Sequence, residues 1–272
     1  MWEAKIILDS IAPCGKRLTT IQLTYPRFIH AEIMTHRDFS RNSASSRAIP
    51  IDKMIKMIED CPAAPINWGR NQKGMSAVSE IDDIEKARWQ WNRGAKKAVL
   101  QAKRLKKLGL HKQIVNRVLE PYMWMTILIT ATEWDNFWKL RRHPDAQPEI
   151  HKIADMAYEA IQNSQPEKRA RHLPFIDEVE ELRFPNEPTT LFMMSAARCA
   201  RLSYLTQDGV RDYSRDIELA ERLLNGSDGI GHLSPFEHQG WPLNTELRSG
   251  NFVGWEQYRK VIERQMKKSN VH

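Results

Sequence analysis

Thr35-His36-Arg37-Asp38-Phe39-Ser40-Arg41-Asn42-Ser43-Ala44-Ser45-Ser46-Arg47 is the densest polar cluster in this 272-residue sequence. Three arginines, one histidine and four serines lie there between apolar flanks. Arginine forks pair with phosphate oxygens, and hydroxyls and backbone N–H groups fill the remaining lone pairs. The stretch therefore reads as a loop that cradles an anion. A solvated, serine-rich loop is the competing reading of the same composition.

Upstream of the loop, residues 4–12 and 19–25 read as two strands. Ile21, Leu23 and Tyr25 alternate onto one face of the second. Pro13, Gly15 and Lys16 make a turn between them, so a hairpin is expected. Residues 27–36 read as a short helix that feeds the polar loop, and Pro50 follows it.

Downstream, Asp82 or Asp83 can cap a long helix running to Gly109. Ile84, Ala87, Ala95, Val99, Ala102 and Leu105 fall near helical spacing, while its other faces carry Lys96, Lys97, Lys103, Arg104, Lys106 and Lys107. A second helix, about 111–119, stops before Pro121, and a third starts at Thr132 or Asp135 and runs through Arg142. Pro148 suits the first position of a helix over 148–162. Residues 163–188, punctuated by Pro166, Pro174, Pro185 and Pro188, read as a connecting segment. Helices are expected at 189–203, at 214–225 with Gly226 as the C′ residue, and at 254–267. The expected organisation is a nucleotide- and flavin-binding part at 1–162, the connecting segment at 163–188, and a C-terminal part at 189–272 packed with the first into one compact domain.

Bulk properties narrow the class. The surplus of 41 basic over 34 acidic residues, a net +7, suits anionic ligands without choosing among nucleotides, nucleic acid and a membrane surface. Cys14, Cys61 and Cys199 form no CxxC pair, which argues against a disulfide framework or a zinc site; no metal is expected. The longest apolar run, 122–131, falls well short of the ~20 residues that span a bilayer. Glu3, Lys5 and Asp9 interrupt the apolar N-terminus, so it does not read as a secretory signal, and a cytoplasmic protein is expected.

The spacing His36-Arg37-x-x-Ser40-x-Asn42-x-x-Ser45-x-Arg47 resembles the signature loop of the flavin-dependent thymidylate synthases, usually written RHRxxSxxxxSxR. Two further regions are similar to that family. Residues 117–150 hold Arg117-Val118-Leu119-Glu120-Pro121, Asn136-Phe137-Trp138-Lys139-Leu140-Arg141 and Ala146-Gln147-Pro148-Glu149-Ile150. These look like the family's Arg-x-x-Leu-Pro turn, its Phe-x-x-Leu-Arg helix end and its Ala-Gln-x-Glu-Ile helix start. Ala200-Arg201-Leu202-Ser203-Tyr204 and Gly231-His232-Leu233-Ser234-Pro235-Phe236-Glu237-His238 resemble its flavin-facing block. In the family that block precedes the signature loop; here it comes last, so the block order looks circularly permuted, with 163–188 bridging the old ends.

The resemblance implies an α/β (α+β) fold, with helices packed around a mixed, mostly antiparallel sheet, and a homotetramer whose active sites form between subunits. It implies reductive methylation of dUMP to dTMP, with methylenetetrahydrofolate as carbon donor and NADPH-reduced FAD as hydride source. By the same resemblance His36, Arg37 and Asn136 contact the flavin. Ser203, Ser234 and Glu237 line its site, and His232 lies near the folate or nicotinamide pocket. Glu32, Ser43, Ser45, Ser46, Arg47 and Arg117 fall to the nucleotide, and Arg141 to the pyrimidine ring as the catalytic cation.

Each role has a plainer counterpart. Arg117 can be a helix-end arginine with a carboxylate partner, Arg141 can complement a helix dipole, and Ser234 with Glu237 can form a capping box. Asn136 and Arg141 point about 140° apart on one helix, so they should meet different ligands or subunits. Departures from the pattern are Thr35 for the first signature arginine, Ser43 for a glutamate, Glu32 for a glutamine, and Thr130 and Thr132 for a flavin-binding asparagine and arginine. Glu32 could accept from an exocyclic amine, which makes dCMP the alternative to dUMP, and hydroxymethyl transfer the alternative to methyl transfer. A protein of another class, binding nucleic acid through the basic helix at 83–109 with Trp89 and Trp91, is the remaining reading.

Overall fold

The computed structural model describes residues 1–77, 79–204, 212–226 and 231–269, without the side chains of Ser203, Tyr204 and Ser269. Strands β1 (Glu3–Ile11) and β2 (Arg17–Pro26) form the expected hairpin, with Gly15 at φ +85° in its turn. A one-residue register shift between Ile6 and Leu8 bulges β1. A 3-10 turn (Arg27–Ile29) and a single helical turn α1 (His30–Ile33) lead into β3 (Ser40–Ser43). That strand lies inside what the composition suggests is loop. Its residues have no apolar alternation, and its extended state comes from pairing with β4 (Trp124–Ala131).

Between these two strands run α2 (Ile51–Asp60), α3 (Ile84–Lys107) and α4 (Lys112–Val115), then a 3-10 turn (Asn116–Tyr122). Asp83 caps α3 by accepting from the Lys86 N–H, as expected. The helix α2, unforeseen in the sequence, buries Met54, Ile55 and Ile58 against Ala95, Val99 and Ala102 of α3. Beyond β4 come α5 (Asp135–Arg141) and α6 (Pro148–Gln162), the latter starting on Pro148 as expected. Residues 163–188 do more than connect. They supply β5 (Glu167–Lys168) and α7 (Glu178–Arg183), which opens on a capping box between Asp177 and Glu180. Then follow α8 (Pro188–Ala200), α9 (Tyr213–Asn225), a 3-10 turn (Ser234–Glu237), the short strands β6 (Gly240–Pro242), β7 (Arg248–Ser249), β8 (Phe252–Val253) and β9 (Trp255–Gln257), and α10 (Tyr258–Ser269). The expected helix at 254–267 thus starts later, because 255–257 pair with β6 instead.

The main sheet has the order β3-β4-β2-β1-β5. Every neighbouring pair is antiparallel except β1 with β5, so the sheet is mixed and mostly antiparallel, as expected. One face carries Ile21, Leu23, Tyr25, Ile127 and Ile129 into a core closed by Phe137 of α5 and Ile150, Ile153 and Ala157 of α6. Full burial of each such side chain contributes roughly 1.5–3 kcal/mol. On the other face Leu128 packs on Cys199 and Leu202. A separate core joins α8, α9 and α10, where Phe192 stacks on Trp241 at 3.9 Å between ring centroids. Among the described residues no helix is long and apolar enough to cross a membrane.

Two buried polar networks tie the late residues to the rest. Arg198 of α8 donates from Nη2 and Nη1 to the two oxygens of Glu180 (2.7 and 2.8 Å), from Nε to Asp216 of α9 (2.9 Å) and from Nη1 to the Phe175 carbonyl (2.7 Å). The second crosses the sheet. His172 pairs with Ser10 and Thr20 at 2.8 Å each, Thr20 with Thr130 at 2.7 Å, and Thr130 with His238 at 2.8 Å. All five side chains belong to fully buried residues. Burial holds both histidines neutral, pushing His238 down to about 3 and His172 well below the ordinary 6.5. The unfolded chain protonates both near 6.5, so their stability contribution is whole above that pH. It shrinks as pH falls from 6.5 towards 3. At pH 5 each costs about 2 kcal/mol. Urea denaturation at pH 7 and pH 5 should show a clear loss of stability at pH 5; equal midpoints would contradict the buried neutral pair.

Candidate active site

The signature loop leaves α1, crosses the sheet edge as β3 and ends near the 3-10 turn at 116–122. Late residues hold it in place. Asn42 Nδ2 donates to the Cys199 carbonyl at 2.9 Å, and Asn251 Nδ2 donates to the Asp38 carbonyl at 3.0 Å. Gln257 Nε2 donates to Ser40 Oγ, to the Glu237 carbonyl (3.1 Å each) and to Asn251 Oδ1 (2.6 Å). The block that resembles the flavin-facing element therefore folds back beside the signature loop, with Gln257 joining Glu237 to Ser40.

At the start of the loop Arg141, the last residue of α5, closes a knot. Its Nε donates to His36 Nε2 at 2.9 Å, and its Nη2 donates to the Glu32 carbonyl (3.3 Å) and Thr35 Oγ1 (3.2 Å). Accepting at Nε2 makes His36 a neutral imidazole protonated on Nδ1. Burial and then the Arg141 charge push it down to about 4. His36 is thus a buried support for the guanidinium, packed on Phe39 and Phe137. Arg141 Nη1 bonds to no other described residue. Glu32 Oε2 is buried without a partner among the described residues.

Arg41 occupies the middle of the loop. It donates to the Met34 carbonyl at 2.5 Å. Burial lowers its guanidinium from the ordinary value, while Glu237 and then Tyr25 oppose that. Beside it the Tyr25 hydroxyl meets His30 Nδ1 at 2.8 Å. Burial, then Arg27 and Arg41, hold His30 down at about 4.

At the far end Glu120 gathers three donors. Ser46 Oγ and Arg117 Nη1 reach its Oε1 at 2.7 and 2.8 Å, and Arg27 Nη2 reaches its Oε2 at 3.2 Å. Burial alone would raise this carboxyl, but the Ser46 hydroxyl, then Arg27 and Arg117, outweigh it and hold it below the usual range. Arg27 Nε stays buried without a partner among the described residues. Arg41 thus shares His36 with Arg141 and His30 with Arg27, while Arg27 and Arg117 share Glu120.

The structure brings Arg141, His36 and Glu32 into one knot, sets Glu237 in the field of Arg41, and joins Ser46 to Arg117 through Glu120. Glu237 also pairs with Arg259 of α10. Ser43 lies in β3, Ser45 is half-buried, and Arg37 and Arg47 are exposed. Asn136 is exposed on α5, away from the half-buried Arg141, matching their expected angular separation. His232 is exposed and Ser234 half-buried; neither touches the knot through a described hydrogen bond. Ser203 lies outside the described side chains. The capping box at Ser234 does not form: Leu233 is the N-cap and makes no side-chain bond. Arg117 does have the carboxylate partner of its plainer reading. Arg27, His30, Arg41 and Glu120 are site residues that motif spacing does not mark, although Arg41 sits within the signature loop itself. Cys199 is fully buried, and burial pushes its thiol up, which rules it out as a thiolate nucleophile.

A mixed sheet whose edge strand carries an arginine-lined loop defines an α+β protein. Residues 18–167, more than half of the chain, match the family described as thymidylate synthase complementing protein, and the chain belongs to that family. Two solved structures are similar to the chain over part of its length at low identity. Both are of the UMP/dUMP methylase PolB from Streptomyces cacaoi. The form bound with 5-Br dUMP is 20% identical at a TM-score of 0.45, over 53% of this chain and 66% of that one. The form bound with 5-Br UMP is 16% identical at a TM-score of 0.49, over 59% of this chain and 88% of the other. In the first comparison the chain spans just under two thirds of the methylase's length. Among curated proteins none matches the chain.

Proposed function

We propose that the chain is a flavin-dependent one-carbon transferase acting on a pyrimidine nucleotide, with dUMP as substrate and dTMP as product. The observation that carries this reading is the knot at Arg141: a guanidinium fixed on two nitrogens by His36, the Glu32 carbonyl and Thr35, with no described partner on its third, while the buried Glu32 Oε2 has none among the described residues. A fixed cation beside the ring favours the pyrimidine anion and lowers the barrier to attack from carbon 5. In the neutral ring, before its proton is lost, N3–H suits Glu32. Arg27 and Arg117 with Ser46 form the end of the site that suits the phosphate.

The donor set also suits FAD: Arg37 and Arg41 offer cations for its pyrophosphate, and Asn136 and Ser234 offer neutral donors. When bound, FAD supplies the hydride that reduces the transferred carbon. Methylenetetrahydrofolate would donate that carbon and NADPH the reducing equivalents. A homotetramer with sites between subunits would give exposed Asn136, His232 and Arg47 partners from other copies.

Glu32 supports one second reading, a cytosine nucleotide, because its open oxygen also suits an exocyclic amine. Binding of nucleic acid by α3 draws less support, since Lys103 and Lys106 already pair with Glu59 and Asp52 of α2. The deciding test is mass spectrometry of the product after purified protein is incubated with FAD, NADPH, methylenetetrahydrofolate and either dUMP or dCMP. A 14-Da gain on dUMP supports the first reading and a gain on dCMP the second. A 30-Da gain marks hydroxymethyl transfer, and no gain on either nucleotide rejects the proposal.

A further inference from the structure

Glu120 stands where the resembled Arg-x-x-Leu-Pro turn carries leucine, and it satisfies Ser46, Arg117 and Arg27 at once. These are the groups that suit a phosphate. A carboxylate offers them two oxygens and one negative charge. A phosphate monoester offers three oxygens and about two charges at pH 7. The fit of the carboxylate is also incomplete, since Arg27 Nε remains buried and unpartnered among the described residues. Two arginines against one glutamate leave the pocket at +1; without the glutamate it carries +2, the complement of a phosphate dianion.

Resting on the function proposed above, we propose that Glu120 is a built-in competitor for the nucleotide's phosphate group, a latch that closes the phosphate end of the site until the nucleotide displaces it. Entry of the phosphate breaks the carboxylate's bonds to Ser46, Arg117 and Arg27 and transfers all three donors to phosphate oxygens, with Arg27 Nε now also satisfied. The carboxylate must then turn to solvent. Its cost sets a floor on affinity, so only ligands with a dianionic, three-oxygen end repay it, and nucleosides gain nothing from opening it.

Calorimetric titration of the full chain with inorganic phosphate, dUMP, dCMP and deoxyuridine tests this in the wild type, Glu120→Gln and Glu120→Leu. Both variants are expected to bind phosphate and dUMP at least tenfold more tightly, with deoxyuridine unchanged. Unchanged or weaker phosphate binding by the folded variants overturns the latch and makes Glu120 a positioning residue for the arginines. Equal tightening of deoxyuridine also overturns it, since the effect then lies elsewhere in the site. If phosphate tightens while neither dUMP nor dCMP binds, the latch stands and the pyrimidine reading fails. Should both variants fail to fold, the wild type decides: added sulfate must increase carbodiimide labelling of Glu120, read by peptide mass spectrometry. Constant or reduced labelling overturns the proposal.

Discussion

Arg141→Ala is expected to cut turnover on the pyrimidine nucleotide by about 10²–10³-fold, the loss typical when one preorganised stabilising donor is removed from an active site. The effect is one of position. Four separate choices in the chain serve this one guanidinium: the end of α5 presents it, buried His36 accepts from Nε, and the Glu32 carbonyl and Thr35 hydroxyl accept from Nη2. Half-buried and held on two nitrogens, it has little freedom left to lose when charge develops beside it. Arg141→Lys keeps the charge but cannot reach three acceptors with one ammonium in the same geometry, so an intermediate loss is expected. Stopped-flow or steady-state rates, taken with melting curves, separate this from a folding defect. Turnover of the folded alanine variant within threefold of wild type would remove Arg141 from the mechanism.

The largest effect on stability is expected at Arg198, far from that knot. Arg198→Ala should destabilise the fold by about 3–5 kcal/mol, because it takes the Arg198 cation from the buried Glu180 carboxylate and leaves Asp216, among the described residues, with Arg201 alone. Glu180 and Asp216 expose 1% and 0% of their side chains, and Arg198 binds both while also holding the Phe175 carbonyl. Burial already raises the Asp216 carboxyl, with Arg198 and then Arg201 opposing it; without Arg198 the rise should be larger. Urea denaturation gives the magnitude. A companion variant that replaces Arg198 by methionine, Glu180 by glutamine and Asp216 by asparagine should recover part of the loss, since among the described residues only Arg201, which pairs with Asp216 at 2.7 Å, is then left without its carboxylate. If the single and triple variants are equally unstable, packing rather than charge explains the site.

Elements set by local chemistry are legible in the amino-acid sequence. Asp83 as the cap of α3 and Pro148 as the first residue of α6 are signals confined to one turn of chain, and both stand in the structure. Gly226 ends α9 with a positive φ, as its position after Asn225 suggests. Elements defined by their partners are not legible in this way. Residues 40–43 are polar throughout and become a strand only on the ladder of β4. The run at 122–131 is apolar without a period, because β4 is buried on both faces, so it betrays neither strand nor helix. The site divides the same way. His36 and Arg141 announce themselves through motif spacing. Arg27 and Glu120 meet across 93 positions of sequence, and no local pattern could join them.

The anchoring of the signature loop by Asn251 and Gln257 has a consequence for the order of events during synthesis. Ser40 meets these two residues across sequence separations of 211 and 217 positions. A nascent chain on the ribosome can fold its first hairpin early, but it cannot brace the loop until residue 257 has cleared the exit tunnel. Ligand competence should therefore arrive abruptly, only after residue 257 has emerged. Contacts this distant also slow folding, since their loop-closure entropy is lost before they stabilise anything.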